Sequence, residues 1–214
     1  MLRRYAFTWC YLGLYVVAGI VYANLGAHGQ DVLATWTSTS VVNLEHDPVG
    51  TLIASAIVGQ GNYIAWPVLI ALALFPANHA LGNAKIALIC LAGNVIGSLI
   101  SEGIIAYRVD TGQLPVAYRH LIDVGPSYVV VAAVVAALIS GGWVARISAG
   151  FVLGVLVFIG NIFGGLSTLD VSAVGHLTSG LTAFACLAPA LYRRFRPAAG
   201  RDFRVQRAPA TEAD

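Results

Sequence analysis

Apolar runs of membrane-crossing length recur six times along the chain, at residues 5–22, 62–75, 86–107, 124–139, 147–163 and 171–191. At 1.5 Å rise per residue, about 20 residues in a helix cover the hydrocarbon core of a bilayer. The runs therefore predict an all-α membrane protein, a bundle of six transmembrane helices. Composition agrees. Hydrophobic side chains make up 58% and charged ones only 10%, where soluble domains carry charge on roughly a quarter of residues. Disorder, collagen and nucleic-acid binding are excluded as classes. The second and fourth runs are short, which favours protein-surrounded positions for them. The first run follows Arg3 and Arg4 and is too long for the apolar part of a signal peptide, so it reads as a retained span.

Orientation follows from where Lys and Arg fall. Ten of the twelve lie on one side of the six spans: Arg3, Arg4, Lys85, Arg146, Arg193, Arg194, Arg196, Arg201, Arg204 and Arg207. Only Arg108 and Arg119 lie on the other. The positive-inside rule then sets a multi-pass protein of the cell membrane with both termini cytoplasmic. The long loop at 23–61 is outside, and its greasy segments around Trp36 and from Val49 to Val58 suit the membrane interface. Residues 1–195 read as one membrane domain. Residues 196–214, with Pro197, Pro209 and alternating charges, read as a disordered cytoplasmic tail.

Membrane helices associate by close backbone approach at small residues. The third span repeats small residues at Gly93, Gly97 and Ser101, the fourth pairs Ala132 with Ala136 and Ala133 with Ala137, and the fifth has Gly150 and Gly154. These stripes predict a compact bundle in which the third and fifth helices meet through Gly93/Gly97 and Gly150/Gly154. Cys10, Cys90 and Cys186 each sit in an apolar run without a CxxC or a histidine at ligand spacing, so they read as buried packing thiols, with no metal and no cofactor expected.

Polar groups inside spans are expensive and need a partner or a function. The group comprises Asn94, Glu102, Ser127, Asn161 and His176, flanked by Asp123 and Asp170. Counted from Ile122 and Val171, Ser127 and His176 each lie about five residues, or about 8 Å, into spans that run the same way. A hydroxyl and an imidazole level with one another are the minimal parts of a base-activated nucleophile. Asp123 and Asp170 read as helix caps, and Glu102 as neutral or bonded to the outer loop.

Gly125-Pro126-Ser127-Tyr128 resembles the GxSG element of rhomboid intramembrane serine proteases, and Gly175-His176-Leu177 resembles the histidine element of their sixth helix. The bacterial rhomboid-like branch is closer still, with its Asp-x-Gly-x-Ser-Tyr and Gly-His-Leu matching Asp123 to Tyr128 and Gly175 to Leu177. Ser38-Thr39, Asp47-Pro48 and Leu81-Gly82 add to the likeness, which extends from about residue 5 to about 192. It implies a six-span rhomboid-like bundle with a Ser127/His176 dyad. Departures are Tyr128 in place of the glycine after the serine, Ser179 in place of a glycine three residues after the histidine, and no oxyanion-holding HxxxN pair at the outer end of the second helix. His79 to Asn83 spells that pattern but follows the second span on the inner side. Asn62 and Gly125 remain as oxyanion or substrate contacts. The resemblance implies an intramembrane protease that cleaves membrane-anchored proteins. The alternative is a catalytically silent relative that binds transmembrane helices of partners; the bilayer is the other expected partner.

Overall fold

The computed structural model describes residues 2–60 and 63–195, and these contain nine α-helices and no strand. A short 3₁₀ turn, Leu2–Tyr5, leads into α1 (Ala6–Asn24). Three short helices follow, α2 (Ala27–Thr37), α3 (Val41–His46) and α4 (Pro48–Ile57). Then come α5 (Ala65–Leu81), α6 (Asn83–Asp110), α7 (Ser127–Ser140), α8 (Trp143–Gly154, continued by a π-helical turn Val155–Ile159) and α9 (Val171–Phe195). Six of these answer to the six apolar runs. By length and composition three can cross a bilayer: Leu2–Asn24, Asn83–Asp110 and Val171–Arg193.

α5 and α7 have 17 and 14 residues. A 14-residue helix is about 21 Å long, short of the hydrocarbon core, and α7 is correspondingly enclosed by protein. Tyr128 through Val134, Ala136 and Ala137 are all buried, at the centre of the main core with Ile70, Leu74, Ile86 and Val152. Alanine at 132, 133, 136 and 137 lets neighbouring backbones approach on several sides. α5 runs six residues beyond Phe75, through an internal Pro76, to a glycine stop at Gly82 with φ +79.

The outer segment is helical where the sequence pattern was read as interfacial loop. Ser40 accepts a hydrogen bond from the Asn43 N–H at the start of α3, and Asp47 accepts one from the Gly50 N–H at the start of α4, with Pro48 at the first helical position. These helices sit over the bundle. Tyr11 Oη donates to the Ala56 carbonyl (2.6 Å), and Asn94 Nδ2 to the Leu52 carbonyl (3.0 Å).

The expected meeting of the third and fifth helices through glycine does not occur. A methyl on Gly93 would lie 2.8 Å from both Ala132 Cβ of α7 and Ser179 Oγ of α9, and one on Gly97 would lie 3.0 Å from the Gly175 carbonyl oxygen of α9. α6 therefore lies along α9 and α7. Gly150 and Gly154 have open space where a side chain would be. α8 instead pairs with α5, where Ser148 Oγ donates to the Leu72 carbonyl (2.7 Å). Of the three cysteines only Cys90 is buried; Cys10 and Cys186 are exposed.

Candidate active site at the α7–α9 contact

Residues 121–126 are not helical, so Ser127 opens α7 instead of lying a turn and a half inside it, whereas His176 is the sixth residue of α9. The two helices still meet at this level. Tyr128 packs against Gly175 so closely that a methyl there would come within 2.6 Å of its Cε1 and nearer still to Cζ and Oη. A glycine at 175 is what admits the ring.

His176 is 3% exposed. Its Nδ1 lies 2.9 Å from the Ile162 carbonyl oxygen, with Ser172 Oγ at 3.5 Å. A carbonyl only accepts, so in the neutral ring the proton is on Nδ1 and the lone pair on Nε2. Among the described residues that buried Nε2 has no hydrogen-bond partner. The α7 side chain in contact with the imidazole is Tyr128, edge-on at 5.1 Å between centroids.

Ser127 is half-buried and lines a narrow cleft, too tight to hold a water molecule, with Thr39, Ser55, Asn94, Ser98, Asp123, Val124, Gly125 and Tyr128. No hydrogen bond joins Ser127 to His176 among the described residues. The cleft's donors are largely engaged. The Gly125 N–H is given to the Ser55 carbonyl (2.8 Å), so the amide proposed for an oxyanion is occupied, and its φ of +140 is one that glycine tolerates. The first turn of α7 has no side-chain cap, which leaves helix N-terminal N–H groups beside Ser127. Asn62 lies outside the described residues.

Asp123 does not cap α7. Its Oδ2 accepts from Tyr128 Oη at 2.7 Å and from Thr39 Oγ1 at 3.4 Å, while its backbone carbonyl accepts from the Thr39 N–H (3.0 Å) and its N–H donates to Ser38 Oγ (2.8 Å). Although the residue is half-exposed, its carboxyl is enclosed. That burial pushes its pKa up; the hydroxyls of Tyr128 and Thr39 pull it down less strongly, and the charge of Asp170 adds a smaller upward push. Asp170 does cap α9, accepting from the N–H groups of Ser172 (3.1 Å) and Ala173 (3.3 Å). Glu102 is 2% exposed and neither oxygen has a hydrogen-bond partner among the described residues. Asn161 is exposed, just beyond the π-helical turn.

Residues 1–195 match the family of rhomboid-like proteins. The chain belongs to that family. No curated protein and no solved structure matches it. It is a multi-pass, all-α, rhomboid-like membrane protein. Against the rhomboid elements, Ser127 and His176 stand on the expected helices, and the His79–Asn83 pattern is remote from them. His79 meets Tyr5 Oη (2.8 Å) and Asn83 Nδ2 donates to the Arg3 carbonyl. Ser98, beside Ser127 in the cleft, is fifteen residues from Asn83 on α6, about 22 Å along its axis.

Two participants escaped the sequence pattern. The Ile162 carbonyl, which fixes the imidazole tautomer, is a backbone atom in an irregular segment after the π-helical turn and leaves no side-chain signal. The second is the contact of Tyr128 with His176 and Asp123. Its signal was the five-residue spacing from Asp123 to Tyr128, which lets a phenol reach back over the start of its own helix.

Proposed function

We propose that this rhomboid-like protein is an intramembrane serine endopeptidase acting on membrane-anchored proteins, with Ser127 as nucleophile and His176 as general base. The observation that carries the reading is the buried, unpartnered Nε2 of a ring whose other nitrogen is committed to the Ile162 carbonyl. A buried basic nitrogen without a partner is costly and points to a group that receives a proton during a reaction. In that reaction Ser127 Oγ bonds to the substrate carbonyl carbon as its proton passes to Nε2. The C–N bond then breaks as Nε2 returns the proton to the leaving amine, and water releases the acyl group by the same steps. The N–H groups opening α7 are the available donors for the oxyanion, and their position at a helix N-terminus favours negative charge. The dyad hydrogen bond has still to form between Ser127 and the unpartnered Nε2, a step that enzymes commonly complete only with substrate bound.

A second reading has its own observation. The Tyr128 ring packs edge-on against His176 while the imidazole Nε2 has no hydrogen-bond partner among the described residues, which suits a silent relative that holds transmembrane helices of partners without cutting them. Purified protein in liposomes, offered single-span reporters, separates the two. The protease reading expects cleavage that Ser127→Ala and His176→Ala each abolish. Cleavage persisting at the wild-type rate in Ser127→Ala contradicts it. Silence toward all reporters, with a helix partner co-purifying equally with wild type and Ser127→Ala, supports the binding reading. The charge distribution supports cytoplasmic termini, an outer α2–α4 segment and a cytoplasmic tail after residue 195.

A further inference from the structure

A continuous set of contacts runs from the outer segment to the imidazole. Ser38 and Thr39 follow α2 directly and are buried. They grip Asp123 through its N–H, its carbonyl and its carboxylate. Asp123 in turn takes the Tyr128 hydroxyl at 2.7 Å, with the Val171 carbonyl a second acceptor at 3.4 Å. The Tyr128 ring, 2% exposed and pressed on Gly175, lies edge-on to His176. Ser179 Oγ donates to the Tyr128 carbonyl (2.7 Å), fixing the backbone of the first turn of α7 against α9. Ser127 is the preceding residue on that turn. Its orientation is therefore tied to the seat of Tyr128.

We infer that Tyr128 is a positioning residue that latches the site: held by Asp123, which Thr39 grips in turn, it keeps the first turn of α7 in the register in which Ser127 makes no hydrogen bond to His176, and movement of the Ser38–Thr39 segment releases it. The inference rests on the serine-hydrolase reading and adds to it that the outer segment controls the dyad. Thr39 is itself a wall of the cleft that Ser127 lines, so a polypeptide reaching that cleft meets the segment that grips Asp123, and substrate arrival and dyad assembly are coupled. The glycine that follows the serine in the GxSG element of the rhomboid proteases could make no such contact, whereas the Asp-x-Gly-x-Ser-Tyr pattern at Asp123 to Tyr128 supplies both the phenol and its acceptor.

The test is the rate at which a fluorophosphonate labels Ser127 in the purified, lipid-reconstituted full chain, followed by mass spectrometry. In the labelling step Ser127 Oγ bonds to phosphorus, fluoride leaves, and the serine proton passes to His176 Nε2. Tyr128→Phe removes the hydroxyl but keeps the ring, Asp123→Asn weakens its acceptor, and Thr39→Val loosens the grip on Asp123. A hydrogen bond to a charged group accounts for about a tenfold shift in an equilibrium, so each variant is expected to label about tenfold faster than wild type. The acceleration should disappear when His176→Gln is added, since labelling in every latch variant runs through the same base. Ser148→Ala, which removes a 2.7 Å bond between α5 and α8, is the control for general loosening and should label at the wild-type rate. Labelled wild type with unchanged rates in all three latch variants overturns the latch alone, and so does an equal acceleration in Ser148→Ala. No labelling of Ser127 in any variant, with all of them folded, overturns both the latch and the hydrolase reading.

Discussion

The tightest packing at the site is between Tyr128 and Gly175, and Gly175→Ala tests it. The added methyl would lie 2.6 Å from Tyr128 Cε1, about 1 Å inside an ordinary carbon–carbon contact of roughly 3.5–4.0 Å. The far end of the ring is nearer still and is fixed by Asp123, so the phenol cannot swing aside and keep its 2.7 Å bond. Overpacking a well-filled core costs about 1–3 kcal/mol, and loss of the hydrogen bond to a buried acceptor adds about 1–2 kcal/mol. The sum is about 2–5 kcal/mol, which at about 2–4 °C per kcal/mol for a chain of this size lowers the melting temperature by roughly 4–20 °C. The assay is thermal unfolding in detergent, followed by tryptophan fluorescence. Gly150→Ala, where a methyl meets open space, should melt within a degree or two of wild type. The double variant Tyr128→Ala/Gly175→Ala should melt no lower than Tyr128→Ala alone, because the clash is gone. A Gly175→Ala protein that melts like wild type, or that adds its full loss on top of Tyr128→Ala, refutes the packing argument.

Gly97→Leu should destabilise or aggregate the protein through the α6–α9 contact, while Gly154→Leu should express and melt like wild type; equal effects would return the interface to α8. Asp123 carries a pH dependence with a definite sign. Its folded pKa is raised, so its contribution to stability is complete below the unfolded value of about 3.9 and is lost as pH rises through the folded value. Asp123→Asn should therefore show a shallower fall in melting temperature than wild type as pH is raised above about 4; parallel curves contradict that assignment. Topology reporters should report an outer location within residues 30–37 and a cytoplasmic one after Asp214, and the reverse pattern would overturn the charge argument.

Much of the fold was legible because lipid imposes long apolar runs. The ends of the helices were not. α7 starts at Ser127 because Pro126 offers no N–H and the preceding residues give their groups to Ser38, Thr39 and Ser55 instead of to one another; apolarity alone extends the span back to 124. The outer helices were signalled by Ser40 three residues before Asn43 and by Asp47-Pro48, capping patterns obscured by the interfacial character of the surrounding residues. Glycine spacing marks helices that can approach closely but not which partner they approach, so Gly93 and Gly97 were right as contact residues and wrong in their partner. At the site, helix count and depth brought out Ser127 and His176, whereas hydroxyl direction and backbone acceptors depend on rotamer and loop path. Those decide that Tyr128 and the Ile162 carbonyl are the groups meeting the imidazole.

The protease reading rests most directly on the protonation pattern of one ring. ¹⁵N solid-state NMR of the histidine-labelled protein in lipid, with His176 assigned by difference against His176→Gln, reads the two nitrogens separately. The hydrogen bond to the Ile162 carbonyl predicts a protonated Nδ1 and a free, pyridine-type Nε2 at neutral pH. A proton on Nε2, or a doubly protonated ring, would leave no base for Ser127 and would contradict the account.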